Sequence, residues 1–342
     1  MSNLGLYKNN SFGIDLGNNN TLVNDKEKIL MSQPSYIAFN ARNQAVTAIG
    51  EKAYQMFEKT PEDLKSVKPL RAGVIADFDS ASRMIREMLH QVFLDKSFFS
   101  GYDHIISGVP FSTTEVERRA LRAALDQFHA RKTYLLFEPL AAALGMGLDI
   151  GEPNGKMVVD IGGGITEVVV ISLSGIAAFE SIKIAGDTFD GEIQDYFRRN
   201  FNMAIGSKTA EQIKINVGAA LEQIVETPDT MEVRGKDLME GIPITRRIGH
   251  PEVARILDKS IQAIENSILQ TMETCPPELA SDIYENGIYL TGGGALLRGI
   301  KERFESKFKI AVHVDKGALS SVSAGVGKAL RCVKEYRSVL FE

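Results

Sequence analysis

Phe12, Ile14 and Leu16 alternate with Gly13, Asp15 and Gly17, the period of a strand with one apolar face. Asn18, Asn19 and Asn20 then form a polar run, and Thr21, Leu22 and Val23 resume a β-prone segment. Residues 12–23 therefore predict a hairpin with a polar tip, and short strands and turns extend to Gly50. Apolar positions three and four apart predict helices over 80–93 and 113–130. The second is introduced by Thr114 with Glu117 three residues on, a capping-box pattern. Residues 105–109, ended by Pro110, read as a strand between them. A further strand is predicted at 135–137 and an alanine-rich helix at 139–148, opened by Pro139 at its first turn.

The opening pattern then returns. Residues 157–160 are an apolar strand ending in Asp160, residues 162–164 are a glycine turn, and residues 166–172 are strongly β-branched. The match between the two hairpins predicts two related α/β halves. Helical spacing continues over 191–200, 210–223 and 251–274. A last glycine turn at 292–294 follows a predicted strand at 287–291 and precedes a helix.

Composition narrows the classes. The 342 residues set a prior of about two domains. With 44% hydrophobic and 24% charged residues, the chain has the makings of large cores and is not a disordered or collagen-like sequence. Lys plus Arg is 39 against 44 for Asp plus Glu, a net charge of -5 that gives no overall footprint for nucleic acid. Cys275 and Cys332 are far apart, with no nearby histidine pattern. That excludes a disulfide framework and a cysteine zinc site, and fits a reducing cytosol. No apolar run approaches the roughly 18 residues of a spanning helix, and residues 1–10 lack a basic region followed by an apolar one. A cytoplasmic protein is expected, with peripheral membrane contact open to it.

Chemistry concentrates at the turns. An Asp at a strand end followed by a Gly-bearing turn occurs at Asp15-Leu16-Gly17 and again at Asp160-Ile161-Gly162-Gly163-Gly164. Successive amides in such turns make concave anion sites, so each tip is a candidate phosphate cradle, with Asn18, Asn20, Thr21 and Thr166 as added donors. Mg²⁺ is usually held by one or two carboxylates plus substrate phosphates, which makes Asp15 and Asp160 the natural pair. An ordinary turn-initiating Asp explains either motif alone as well; their repetition tips the balance. The third turn, Leu290-Thr291-Gly292-Gly293-Gly294-Ala295, gives a flat ligand or phosphate a close approach to backbone. It is neither G-x-G-x-x-G nor a Walker loop, which argues against a Rossmann dehydrogenase and a P-loop ATPase.

This order of hairpin, Glu-Pro helix, second hairpin and glycine turn resembles the actin, sugar-kinase and heat-shock-chaperone ATPase superfamily. Within it the chain is most similar to the MreB family of bacterial actins. The matching segments include Ile49-Gly50-Glu51-Lys52-Ala53, residues 69–78, Val116-Glu117-Arg118-Arg119-Ala120, residues 158–172, Gly186-Asp187-Thr188-Phe189-Asp190, residues 209–214, 275–283 and 290–298. They cover nearly the whole chain in the family's order.

The resemblance implies an actin-like α/β fold of two related domains with a nucleotide cleft between them, domain I at 1–143 plus 320–342 and domain II at 144–319. It implies ATP and Mg²⁺ as cofactors, with Asn18, Asn19, Asn20, Gly162, Gly163 and Gly164 at phosphate. Glu211, Gln212, Ile213 and Lys214 fall near ribose and base, beside Gly292, Gly293, Gly294 and Ala295. Glu138 falls where the family has the residue that orients the attacking water, a role suited to a carboxylate in line with the γ-phosphate. A helix N-terminal carboxylate favoured by the dipole is a compatible reading of the same residue. Thr166 is a second candidate for positioning that water. Two departures stand out: close relatives usually have Thr-Ala-Asn at Asn18, Asn19 and Asn20, and two acidic residues at Phe137 and Glu138. The first exchanges a hydroxyl for amide donors; the second leaves the better-placed carboxylate.

The family further implies an ATPase whose hydrolysis is coupled to filament assembly, with paired protofilaments beneath the inner face of the cytoplasmic membrane and cell-wall elongation proteins as partners in maintaining shape. Phe98, Phe99 and Tyr102 around Gly101 are the candidate membrane loop, with packing against the strand at Ile105 as the alternative. Arg246, Arg247 and His250 form a small basic group that a solvated surface explains. A small-molecule kinase of the same superfamily, or a segregation or organelle-positioning filament, remain the alternatives. A chaperone is disfavoured because the sequence shows no peptide-binding domain after the 325–336 region.

Overall fold

The computed structural model describes residues 11–93 and 102–342. The chain divides into two compact units, one holding Met1–Ile150 with Ser320–Glu342 and the other Gly151–Leu319. The expected first boundary, after residue 143, falls inside the helix Glu138–Gly145. That helix stays with the first unit because it packs backbone to backbone on Ser321–Arg331. A Cβ on Gly325 would sit 1.7 Å from the Ala141 carbonyl oxygen, so only glycine permits this approach.

The first unit is built on a six-stranded sheet in the order Leu340–Phe341, Lys132–Phe137, His104–Val109, Phe12–Leu16, Asn20–Asn24, Ile29–Pro34. Phe12–Leu16 pairs antiparallel with Asn20–Asn24 and parallel with His104–Val109, which in turn pairs parallel with Lys132–Phe137. Phe12, Ile14, Met84, Ile85, Met88 and Leu125 are fully buried in its core. The helix expected over 113–130 is shorter, Glu115–Asp126, with Thr114 and Glu117 forming the capping box read from the sequence.

In the second unit a five-stranded sheet runs Gly175–Ile182, Thr166–Ser172, Lys156–Ile161, Ile288–Thr291, Val312–Val314. Three meander strands are followed by two parallel ones, the arrangement of the first sheet without its 340–341 edge. The related halves read from the paired hairpins are thus present as related sheets. Its core joins Val159, Val168, Phe189, Ile193 and Ile261. The helix expected over 191–200 begins earlier, at Gly186–Phe201. The one expected over 210–223 is Ser207–Val217, ending where Gly218 turns to extended backbone and Ala219 bridges to Arg298.

Candidate functional site

In the first unit, Asp15 lies on the central strand of the sheet, opposite Leu22 and one residue before the Leu16–Thr21 pair that closes the hairpin. It is only 9% exposed. Burial pushes its carboxyl up to about 7, and no ion pair balances it among the described residues. A buried carboxylate in that condition is a fitting ligand for a cation.

The asparagine tip is tied to the segment that follows it. Asn18 is buried and its Oδ1 accepts the Gly73 N–H at 3.2 Å. The Asn19 Oδ1 accepts from the Lys68 ammonium, and the Asn19 carbonyl accepts the Ser35 N–H at 2.8 Å. Asn20 is exposed. The departure from the usual family residues therefore supplies two acceptors that fasten the hairpin to residues 68–73.

Glu138 opens the helix Glu138–Gly145 directly after the strand Lys132–Phe137, with Pro139 behind it in the first turn. Its side chain lies over Gly108: a Cβ there would be 3.3 Å from the Glu138 Cγ. Both residues line a cavity of about 20 Å³ together with Leu16, Gly73, Pro110 and Thr113, room for about one water. Phe137, where relatives carry a second acid, packs its ring 4.7 Å from Phe111 and 4.6 Å from Phe341.

In the second unit, Asp160 pairs with Glu167 on one side and Thr291 on the other. The carbonyl of Gly162 accepts the Gly186 N–H at 3.1 Å and that of Gly163 the Asp187 N–H at 2.7 Å. The N–H groups of Gly163 and Gly164 have no acceptor among the described residues, which leaves successive amides for an anion. The Gly186-Asp187-Thr188-Phe189-Asp190 motif thus begins the helix that braces the glycine turn.

Lys214 reaches the same place, donating to the Gly186 carbonyl at 3.0 Å and to Asp190 at 2.9 Å. Asp190 is buried, and burial raises its carboxyl to about 6 against the pull of Lys214. Its other oxygen, Oδ1, is buried without a hydrogen-bond partner. Sequence reasoning quoted Asp190 as part of a motif without assigning it a role. Its signal would have been an acid one helical turn into a glycine-opened helix.

At the third turn Gly292 takes φ +82°, and a Cβ there would lie 2.3 Å from the Asp160 Oδ1. Gly293 is exposed and Gly294 half-buried. The structure thus brings Asp160 and the 292–294 turn together, and Lys214 with the Gly186 motif.

Several expected site residues have other places. Ile213 is fully buried in the second unit's core, and Ala295 is 3% exposed in the same cluster. Their side chains face packing, so the spacing that put them beside Lys214 and Gly294 is that of a helix interior and a turn floor. Gln212 is exposed and Glu211 half-buried. Thr166 is fully buried and donates its hydroxyl proton to the Ile184 carbonyl at 2.7 Å. That proton is committed to the backbone rather than to a water. Phe98 and Phe99 lie outside the described residues. Tyr102, by contrast, packs edge-on against Phe12 with ring centres 4.9 Å apart, the core reading of that aromatic. Arg246 lies over the Phe201 ring.

Comparison with known proteins places these features in a family. The model described as MreB/Mbl protein matches residues 9–338. The cell shape-determining protein MreB of Escherichia coli K12 is 40% identical, over 98% of this chain and 97% of its own. The cell shape-determining protein Mbl of Bacillus subtilis is 38% identical, over 93% and 95%. Among solved structures, MreB5 of Spiroplasma citri bound to AMPPNP superposes with a TM-score of 0.90 at 32% identity, covering 96% of this chain and 98% of that one. The MamK double helical filament shares the fold at a TM-score of 0.74 and 18% identity, over 95% and 98%.

Proposed function

The chain belongs to the MreB/Mbl family of actin-like cytoskeletal proteins, and from that premise we propose that it is an ATPase that assembles into filaments which determine cell shape. The observation that carries this reading is the likeness to the MreB5 structure bound to AMPPNP, a nonhydrolysable ATP analogue. The amides of Gly163 and Gly164 and the asparagine tip receive phosphate oxygens. Gly292, Gly293 and Gly294 give a flat base access to backbone, and Asp190 Oδ1 is an unspent acceptor for a ribose hydroxyl.

Asp15 and Asp160 would hold Mg²⁺, which when bound neutralises charge on the terminal phosphates. The uncompensated burial of Asp15 supports that assignment. Glu138 accepts a hydrogen bond from the attacking water and orients it, with Gly108 leaving room for the carboxylate. Pro139 and the close packing of Ala141 on Gly325 fix the helix that carries it. Filaments follow from a head-to-tail interface that does not close into a ring. Their setting is the inner face of the cytoplasmic membrane, with Phe98 and Phe99 as the anchor and cell-wall elongation proteins as partners. No described helix is long and apolar enough to cross a membrane.

Sedimentation with electron microscopy of the pellet tests this, comparing Mg-ATP, Mg-ADP and no nucleotide, each with and without anionic liposomes. Filaments that require ATP are expected. A chain that binds ATP yet stays monomeric across protein, salt and lipid concentrations would overturn the filament reading. Glu138→Ala should hold nucleotide affinity within about twofold while phosphate release slows by about 10²-fold.

A further inference from the structure

A second concavity lies in the first unit among residues that the nucleotide reading does not use. Its volume is about 560 Å³, within the range of small-ligand sites. Three elements build it. The turn after Asn20–Asn24 carries Lys26 and is clamped by Asp25, whose Oδ1 accepts the Glu27 and Lys28 N–H groups at 2.7 and 2.9 Å. The starts of two parallel strands carry Asp103, His104 and Arg131, joined by the Arg131 N–H to the Tyr102 carbonyl at 2.7 Å. The end of Ser321–Arg331 and the turn after it carry Arg331, Cys332, Lys334 and Glu335.

The lining holds four permanent cations, Lys26, Arg131, Arg331 and Lys334, against two acids, Asp103 and Glu335. This local excess of positive charge stands in a chain whose net charge is -5. Arg131, Arg331 and Lys334 make no ion pair among the described residues. A cation in the last turn of a helix complements its dipole, which accounts for Arg331. It does not account for Lys26 and Arg131, which come from other elements. His104 supplies the second observation: its Nδ1 is buried and lacks a hydrogen-bond partner. Burial, with Lys26, Arg131 and Lys132 nearby, outweighs the pull of Asp103 and keeps the ring below its ordinary value.

We propose that this pocket binds a phosphate-bearing anion, gripped by Arg131 and Arg331 with Lys26 and Lys334 as further counter-charges and His104 as a ring donor. Guanidinium groups suit phosphate oxygens because their planar forks bind two at once. A free phosphate compound and a phospholipid headgroup present that same chemistry.

The test titrates inorganic pyrophosphate into the full chain saturated with Mg-ADP, following the His104 ring resonances by NMR. They are assigned by their loss in His104→Ala. A saturable shift is expected in the parent chain. Arg131→Gln with Arg331→Gln, both at exposed positions, should weaken it by at least about tenfold. Lys301→Gln with Lys307→Gln removes the same charge elsewhere and should leave it unchanged. Flotation with phosphatidylglycerol or phosphatidylcholine vesicles separates the sources. Retention on the first that the arginine pair loses and pyrophosphate competes away identifies a headgroup. A pyrophosphate shift with vesicle binding unaltered identifies a free phosphate compound. Equal behaviour of both double variants in both assays, or no His104 response with no vesicle effect, overturns the proposal.

Discussion

The two hairpins share a topology and secure their tips by different means. In the first, side chains add to a single backbone bond from Ser35 to the Asn19 carbonyl: Asn18 takes the Gly73 N–H and Asn19 the Lys68 ammonium. In the second, backbone does it: the Gly162 and Gly163 carbonyls take the N–H groups of Gly186 and Asp187. A tip held by side chains can be retuned one residue at a time, at the modest net value of single hydrogen bonds. A tip held by backbone offers no such side chain to exchange, and the Gly292 turn beside it takes φ +82°, a conformation that glycine supplies readily and other residues do not, so change there is abrupt. Substitutions should therefore be graded in the first unit and close to all-or-none in the second.

The largest effect is expected at Gly292. Its φ of +82° strains any other residue, and a Cβ would meet the Asp160 Oδ1 at 2.3 Å and the Ile161 carbonyl oxygen at 2.4 Å. Gly292→Ala should cost about 3 kcal/mol or more and abolish nucleotide binding. Gly191, in the helix Gly186–Phe201, has nothing within 4 Å of a built Cβ. Gly191→Ala should stabilise the chain by about 0.5–1 kcal/mol. Thermal unfolding of both variants settles the contrast; equal destabilisation would defeat the glycine argument.

Next is the pH dependence set by Asp190 beneath the second tip. Its native carboxyl titrates near 6 against an ordinary value of 3.8, so between those pH values the folded chain holds the extra proton. Stability then falls as pH rises through about 4 to 6, by up to about 3 kcal/mol, and the loss is complete above 6. Asp190→Asn should flatten that part of the profile, with Lys214 still bonded to the Gly186 carbonyl. Urea unfolding of both chains from pH 4 to 7 measures the difference. Parallel profiles would mean that Lys214 already compensates the buried charge.

Much of this was legible in the sequence because the signals are local. Alternation marked the first hairpin, an apolar run and β-branched residues the second, and Thr114 with Glu117 was legible as the capping box that opens Glu115–Asp126. What was hidden is non-local. Ile213 and Ala295 sit beside site residues in sequence, yet packing turns their side chains into the core. Thr166 is spent on Ile184, eighteen residues away, and no spacing rule reports that bond. The Asn18–Gly73 and Asn19–Lys68 ties join segments about fifty residues apart, so the asparagine run reads as a bare turn until the fold closes on it. The cation-lined pocket gathers charge from separate parts of the fold that no stretch of sequence shows as basic.

Metal ligation asks the same question of both units. Asp15→Asn and Asp160→Asn each remove one carboxylate from the proposed Mg²⁺ ligands. Each should weaken Mg-nucleotide binding by at least about tenfold, or about 1.4 kcal/mol. Binding of the nucleotide in excess chelator should change far less, since amides and glycine turns are untouched. Calorimetry with and without Mg²⁺ reads the difference, and a loss that is equal in chelator would move both residues from metal ligation to support of the hairpins.

The smallest effects should come from the first tip, and their order matters more than their size. Asn18 is buried, so Asn18→Ala leaves the Gly73 N–H without its acceptor and should cost about 1 kcal/mol. Asn19 is half-buried and bonded to a long, mobile ammonium, so Asn19→Ala should cost about 0.5 kcal/mol or less. Asn20 is exposed, and Asn20→Ala should leave stability unchanged while lowering nucleotide affinity through the lost donor. Denaturant midpoints set against nucleotide affinity would then separate along the run, stability carried by its start and binding by its end. If all three positions lost stability and affinity in the same proportion, the tip would be a single rigid turn like its glycine counterpart, and the contrast between side-chain and backbone fastening would fail.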